Sequence, residues 1–179
     1  MPNTSQTQDL ISFLRRLRAV RTFRPDPVPE AALNDILEVA RWSGSAMNRQ
    51  PWQIVVITDD AVRQALGQLE GYVKHVAGAP LGMVLAMEGE GDANAYDEGR
   101  LSERIMLAAA AHGVGACIGW FAGPAQDEAK RVLAVPAGYH VRTVLSLGYP
   151  TEEAQQPHSK PGEARKPLSE IVHTNRFGE

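Results

Sequence analysis

A chain of 179 residues, 44% of them hydrophobic and with a formal charge of −3, is long enough for one domain with a substantial core. No apolar run approaches a membrane span, and the polar stretch from Met1 to Asp9 lacks the apolar centre of a signal peptide. The one cysteine, Cys117, excludes an intrachain disulfide framework and fits a reducing compartment, so a cytoplasmic location is expected.

A first helix is expected from about Thr7 to Ala19, with Leu10, Phe13, Leu14 and Leu17 recurring at helical spacing. It carries an uneven share of the charge. Residues 1–25 hold five arginines against one aspartate, a local +4 that leaves −7 elsewhere for the total of −3. So short a basic cluster argues against broad nucleic-acid binding, which needs a long positive face, and fits one small anion better. Arg15 and Arg16 read as a solvated helix face.

Pro25-Asp26-Pro27-Val28-Pro29 breaks that helix, and a second follows from about Glu30 to Trp42 with Leu33, Ile36, Leu37 and Ala40 facing the core. Ser43-Gly44 supplies its stop. The polar stretch Ser45-Ala46-Met47-Asn48-Arg49-Gln50-Pro51-Trp52 then leads into a strand, Gln53 to Thr58. Pro51 fixes its own φ and drives Gln50 toward extended geometry, giving a rigid loop at the mouth of a core strand. Such a loop suits a ligand, and it equally suits an ordinary helix-to-strand connection with a buried Trp52.

Asp59 or Asp60 can cap a helix from Ala61 to about Leu69. Leu81 to Met87 reads as a second buried strand, followed by a Gly-rich turn over 88–92 and a long alanine-rich helix from Asn94 to His112. Asp97 and Glu98 near its start read as partners of the helix dipole, and Glu103 with Arg104 as a surface pair. Ala116 to Phe121 is a short strand, Pro124 to Leu133 a helix, and Val141 to Leu147 another strand. Beyond Pro150 the tail is proline-rich, with one helical hint at Leu168 to Ile171. Strands separated by helices indicate an α/β or α+β sheet with helices on its faces, and no internal repeat or linker divides it.

Several chemistries are absent. There is no Gly-x-Gly-x-x-Gly after the first strand, no P-loop and no Gly-x-Ser-x-Gly. His75, His112, His140, His158 and His173 are scattered without metal-ligand spacing, so no metal is expected. No side chain stands out as a catalytic acid, base or nucleophile, which fits a reaction carried by a cofactor.

Taken in order, Arg18-Ala19-Val20-Arg21-Thr22-Phe23, then Pro27-Val28-Pro29, Ser45-x-x-Asn48-x-Gln50-Pro51-Trp52, Gly113-Val114-Gly115-Ala116 and Ser146-Leu147-Gly148-Tyr149-Pro150 span nearly the whole chain. That order resembles the nitroreductase family of FMN-dependent oxidoreductases. The resemblance implies an α+β sandwich, with a central mostly antiparallel sheet flanked by helices, built as an intertwined homodimer with flavin at the subunit interface. Residues 1–179 would form one such domain, with 151–179 a C-terminal extension reaching the partner subunit. It also implies ping-pong hydride transfer from NADH or NADPH through FMN to a small-molecule electron acceptor, a nitroaromatic or a quinone. A deazaflavin reductant stays open. So do two rival functions: other flavin chemistry on the same scaffold, such as reductive dehalogenation or flavin destruction, and non-catalytic flavin binding.

The same resemblance assigns residues. Arg18 and Arg21 match phosphate-binding arginines, and Arg165 matches a basic residue of the C-terminal segment, with Lys160 and Lys166 as near substitutes. Arginine suits a phosphate because its planar fork donates paired, charge-assisted hydrogen bonds. Ser45 and Asn48 are candidates for polar flavin contacts given to the partner, with loop capping as the alternative. Gly119 and Trp120 lie in the segment passing the flavin's reactive edge, where glycine lets backbone approach a flat ring. Lys74 is a candidate for the pyrimidine end, an ordinary solvated lysine being the alternative, and Cys117 reads as buried and inert. Two departures stand out: Leu17 and Ala19 occupy positions where many members carry arginine and serine, removing one cation and one hydroxyl.

Overall fold

Near-continuous apolar runs in its inner strands build a sheet that is covered on both faces. The computed structural model describes residues 4–89, 91–156 and 165–178. His158, Lys160 and part of the 151–179 segment lie outside the described residues. Four strands, β1 (Trp52–Ile57), β2 (Leu81–Glu88), β3 (Gly115–Trp120) and β4 (Tyr139–Gly148), form one antiparallel sheet in the order β1-β2-β4-β3. Among the described residues five α-helices accompany them: α1 (Thr4–Arg16), α2 (Glu30–Arg41), α3 (Asp60–Gly67), α4 (Asp92–Ala111) and α5 (Ala125–Val132).

β2 shows why the sheet needs two covers. Leu81, Met83, Leu85 and Met87 pack with Ile36 and Ala40 of α2 and with Leu101 and Ile105 of α4. Val84 and Ala86 point the other way, into a second cluster with Leu66 of α3 and Ala129 of α5. A strand buried on both faces reads as a continuous apolar run, as this one does. Burying each of the large side chains fully stabilises the fold by roughly 1.5–3 kcal/mol. The result is a helix–sheet–helix α+β sandwich. Asp59 caps α3, its carboxylate accepting from Val62 N at 3.0 Å.

α4 spans the sandwich because its buried positions recur every three or four residues, from Asn94 through Asp97, Leu101 and Ile105 to Ala108. Its small alanines let α2 lie close. Asp97 and Glu98 do not merely meet the helix dipole: both are buried, Asp97 accepting from Ala46 N and Arg100, and Glu98 pairing with Arg142 of β4. A carboxylate on the inner face of a helix has to find donors, whereas one on the outer face does not.

One further expectation changes. Gln50 is not extended but has φ of 51°, because its N–H is held by Ser45 Oγ at 2.9 Å. The α1 stripe exists, but the helix has no buried residue, and Leu10, Ile11 and Leu14 are exposed. Leu17, just past the helix, packs against the core, so among the described residues the stripe marked by spacing is covered only at its C-terminal end.

Candidate functional site

The arginine-rich segment after α1 lies along the outer edge of β3. Val20 N donates to Ala116 O at 2.9 Å, and Arg24 N to Tyr149 O at 2.8 Å. The approach is so close that a side chain on Gly115 would overlap Val20, its Cβ falling 2.6 Å from a valine methyl. Sequence order therefore becomes geometry here, since the edge strand fixes the direction of each arginine.

Arg18 and Arg165, from opposite ends of the chain, meet in the lining of two adjoining cavities. The first, about 490 Å³, is polar and adds Arg15, Glu103 and Met106. The second, about 750 Å³, is walled by Phe13, Val114, Gly115, Ala116 and Pro150. Leu17 and Ala19 line both, so the departures noted above replace a cation and a hydroxyl with apolar wall. Arg18 Nη1 also donates to the carbonyls of Arg15 and Leu17 at 2.8 and 2.7 Å, closing the C-terminal end of α1. Lys166, like Lys74, is exposed and lines neither cavity.

Arg21 goes elsewhere. Its guanidinium lies 5.5 Å from the centre of the Tyr72 ring, and Tyr72 in turn stacks on Trp120 with ring centres 5.1 Å apart. Trp120 is 51% exposed, so one aromatic end of this ladder faces outward. Behind it, His75 Nδ1 lies 2.7 Å from Ser146 Oγ, and its Nε2 lies 3.2 Å from Tyr72 O. Burial holds the His75 pKa below its ordinary value, the Tyr72 carbonyl opposes this, and Arg21 adds to the lowering. Burial likewise pushes the Cys117 thiol up, with nearby Arg21 pulling it back, as an inert buried cysteine should behave.

Gly119 is required, and by protein packing: a Cβ there would sit 2.1 Å from Tyr72 O and 2.7 Å from His75 Nε2. Ser45 and Asn48 line neither cavity. They sit in a strained loop in which Met47, Asn48 and Gln50 all take φ between 51° and 56°. Ser45 Oγ accepts from Gln50 N, and Gln50 Nε2 donates to Asn48 O at 3.3 Å. Trp52 is buried as core.

Sequence reasoning missed Tyr72, His75 and Glu103 as neighbours of this region. Tyr72 belongs to no motif, but Gly71-Tyr72 pairs back on β3: Tyr72 N donates to Trp120 O at 2.9 Å. Only the strand pairing reveals it. Among the described residues, no cluster of His, Cys, Asp or Glu could hold a metal, and no helix is long and apolar enough to cross a membrane.

The structure thus offers a basic cleft at the edge of a helix-flanked antiparallel sheet, and an aromatic ladder of Tyr72 and Trp120 at the far end of β3. Known proteins give it a family. The family model described as the nitroreductase family matches residues 14–71. A protein named NADH dehydrogenase from Thermus thermophilus is 31% identical, the match covering 96% of this chain and 98% of that one. An oxygen-insensitive NADPH nitroreductase from Salmonella typhimurium is 28% identical over 93% of this chain and 74% of its own. Among solved structures, an FMN-dependent nitroreductase from Clostridium difficile superposes with a TM-score of 0.83 at 25% identity, covering 93% of this chain and 99% of that one. The chain belongs to the nitroreductase family, a family of oxidoreductases.

Proposed function

We propose that this protein is an FMN-dependent oxidoreductase that takes hydride from NADH or NADPH and delivers electrons to a small electron-poor acceptor, a nitroaromatic or a quinone. The observation that carries the proposal is the meeting of Arg18 and Arg165 in the lining of two adjoining cavities, one polar with Arg15 and Glu103 and the other walled largely by apolar side chains. That donor set fits a phosphate joined to a less polar body. FMN, when bound, supplies hydride acceptance and donation, so that reductant and acceptor use the site in turn.

The chain's residues then bind and orient. Arg18 and Arg165 hold the phosphate, with Arg15 reinforcing the field. Arg21 is a cofactor-binding cation too, and its place beside Tyr72 and Trp120 favours the ring end over the phosphate. Gly119 and Trp120 border the ring, and Leu17 and Ala19 exclude water without adding donors. Ser45 and Asn48 serve the cofactor of a second subunit. The exposed apolar side chains of α1 (Leu10, Ile11, Leu14) and of the tail (Leu168, Ile171, Val172, Phe177) support an intertwined homodimer. Residues 1–179 act as one domain, the 151–179 segment reaching across the partner. The lone cysteine favours a cytoplasmic setting.

The test is the visible absorbance spectrum of the purified protein before and after anaerobic NADH or NADPH. A flavin spectrum that bleaches is expected, followed by recovery on adding a quinone. A colourless protein that cannot be reconstituted with FMN overturns the proposal. Joint replacement Arg18→Ala and Arg165→Ala should weaken FMN binding by at least about 100-fold, since each charge-assisted hydrogen bond is worth about 1.5–3 kcal/mol.

A further inference from the structure

The strained loop before β1 is not held by its own residues alone. Ala46 N donates to Asp97 Oδ2 at 3.0 Å across a sequence distance of 51 residues. Asp97 is 2% exposed and stands on the inner face of α4, a helix packed into the core on both sides of it. Its other oxygen, Oδ1, accepts from Arg100 Nη1 at 3.3 Å. Arg100 in turn lies over Gly44, where a Cβ would come within 2.0 Å of Nη2. One buried carboxylate thus ties the rigid long helix to the first turn of a loop containing three non-glycine residues at positive φ. Backbone in that conformation persists only where its surroundings impose it.

We propose that Asp97 is a positioning residue: its carboxylate fixes Ala46 and thereby sets the loop that presents Ser45 and Asn48 to the flavin. This rests on the flavin reading above. Asp97 touches no reacting group in this assignment and acts only through the Ala46 N–H. The requirement is for a buried acceptor rather than for charge, because the partner Arg100 is half-exposed and can turn to water. The carbonyl of an asparagine meets that requirement; the methyl of an alanine does not.

The experiment compares wild type, Asp97→Ala and Asp97→Asn by FMN dissociation constant, by the visible circular dichroism of bound FMN, and by tryptic cleavage of the FMN-free protein after exposed Arg49. Asp97→Ala is expected to weaken FMN binding about tenfold, the scale of one hydrogen bond to a charged group, to alter the dichroism, and to speed cleavage at Arg49 by a similar factor. Asp97→Asn is expected to restore all three to within about threefold, because the acceptor is kept. Should Asp97→Ala fail to fold, Ala46→Pro removes the donor instead. Ala46 opens a 3-10 turn after an extended Ser45, a place where proline fits, so the loss of the N–H is the main change.

Wild-type FMN affinity in Asp97→Ala and in Ala46→Pro overturns the proposal, as does faster cleavage at Arg49 with unchanged affinity. Failure of Asp97→Asn to rescue overturns the acceptor role. A wild-type protein that binds no FMN would instead defeat the flavin reading. Cleavage at Arg49 would then still decide whether Asp97 holds the loop.

Discussion

The sheet and the N-terminal helix are built from similar apolar residues and reach opposite ends. Met83, Leu85, Leu145 and Leu147 are fully buried, covered by helices of their own chain. Leu10 of α1 is 57% exposed and Phe177 of the tail 93%, although both lie in segments with regular spacing or turns. The sheet side chains satisfy the hydrophobic effect within one chain. Those of α1 and the tail leave it unsatisfied, and a second copy is the proposed cover. The difference teaches that periodicity identifies an apolar face but not the molecule that buries it.

Protein concentration separates the two regions. Leu145→Ala should cost about 2–5 kcal/mol, read by urea denaturation, because it opens a cavity among fully packed neighbours. That loss should be the same at every protein concentration; a strong concentration dependence would break the contrast. The pair Leu10→Glu and Leu14→Glu should convert the proposed dimer to monomer in sedimentation at micromolar protein. The isolated subunit should lose no more than about 0.5 kcal/mol, since both positions are surface in one chain. An unchanged mass would mean that α1 is not an interface.

A smaller effect tests the self-contained layer from its edge. Asp59→Ala removes the cap of α3 and should cost about 1 kcal/mol, again independent of concentration. The smallest concerns His75. Its folded pKa lies below the ordinary value of about 6.5, so the unfolded chain binds the proton more readily. Stability should therefore be full above pH about 6.5 and decline as the pH falls below it. His75→Gln should flatten that slope between pH 7.5 and 5.5, chosen as about one unit either side of the ordinary value. An unchanged slope would locate the pH dependence elsewhere.

The division of the site follows the same logic. The chain marks Arg18, Arg21 and Arg165 as candidates, because a cation on a short motif keeps its chemistry whatever its surroundings. It does not mark where each one points. Arg18 and Arg165 meet at the cavities while Arg21 turns to Tyr72, because the 18–24 segment starts against β3 and runs on against the chain after β4, and its residues leave it in different directions. Tyr72 joins the proposed site without a motif, through its pairing with Trp120.

The sequence by itself determined the order of helices and strands, the burial of the β2 run, a capping aspartate at 59 or 60 and the family resemblance. Each of these depends on contacts or preferences within a few residues, or on motif order along the chain. Only the tertiary structure decided that Gln50 is left-handed, that Asp97 and Glu98 are buried, and that Leu10, Ile11 and Leu14 of α1 are exposed. Those outcomes depend on partners many residues away, such as Ala46 for Asp97 and Arg142 for Glu98, and local pattern carries no record of them.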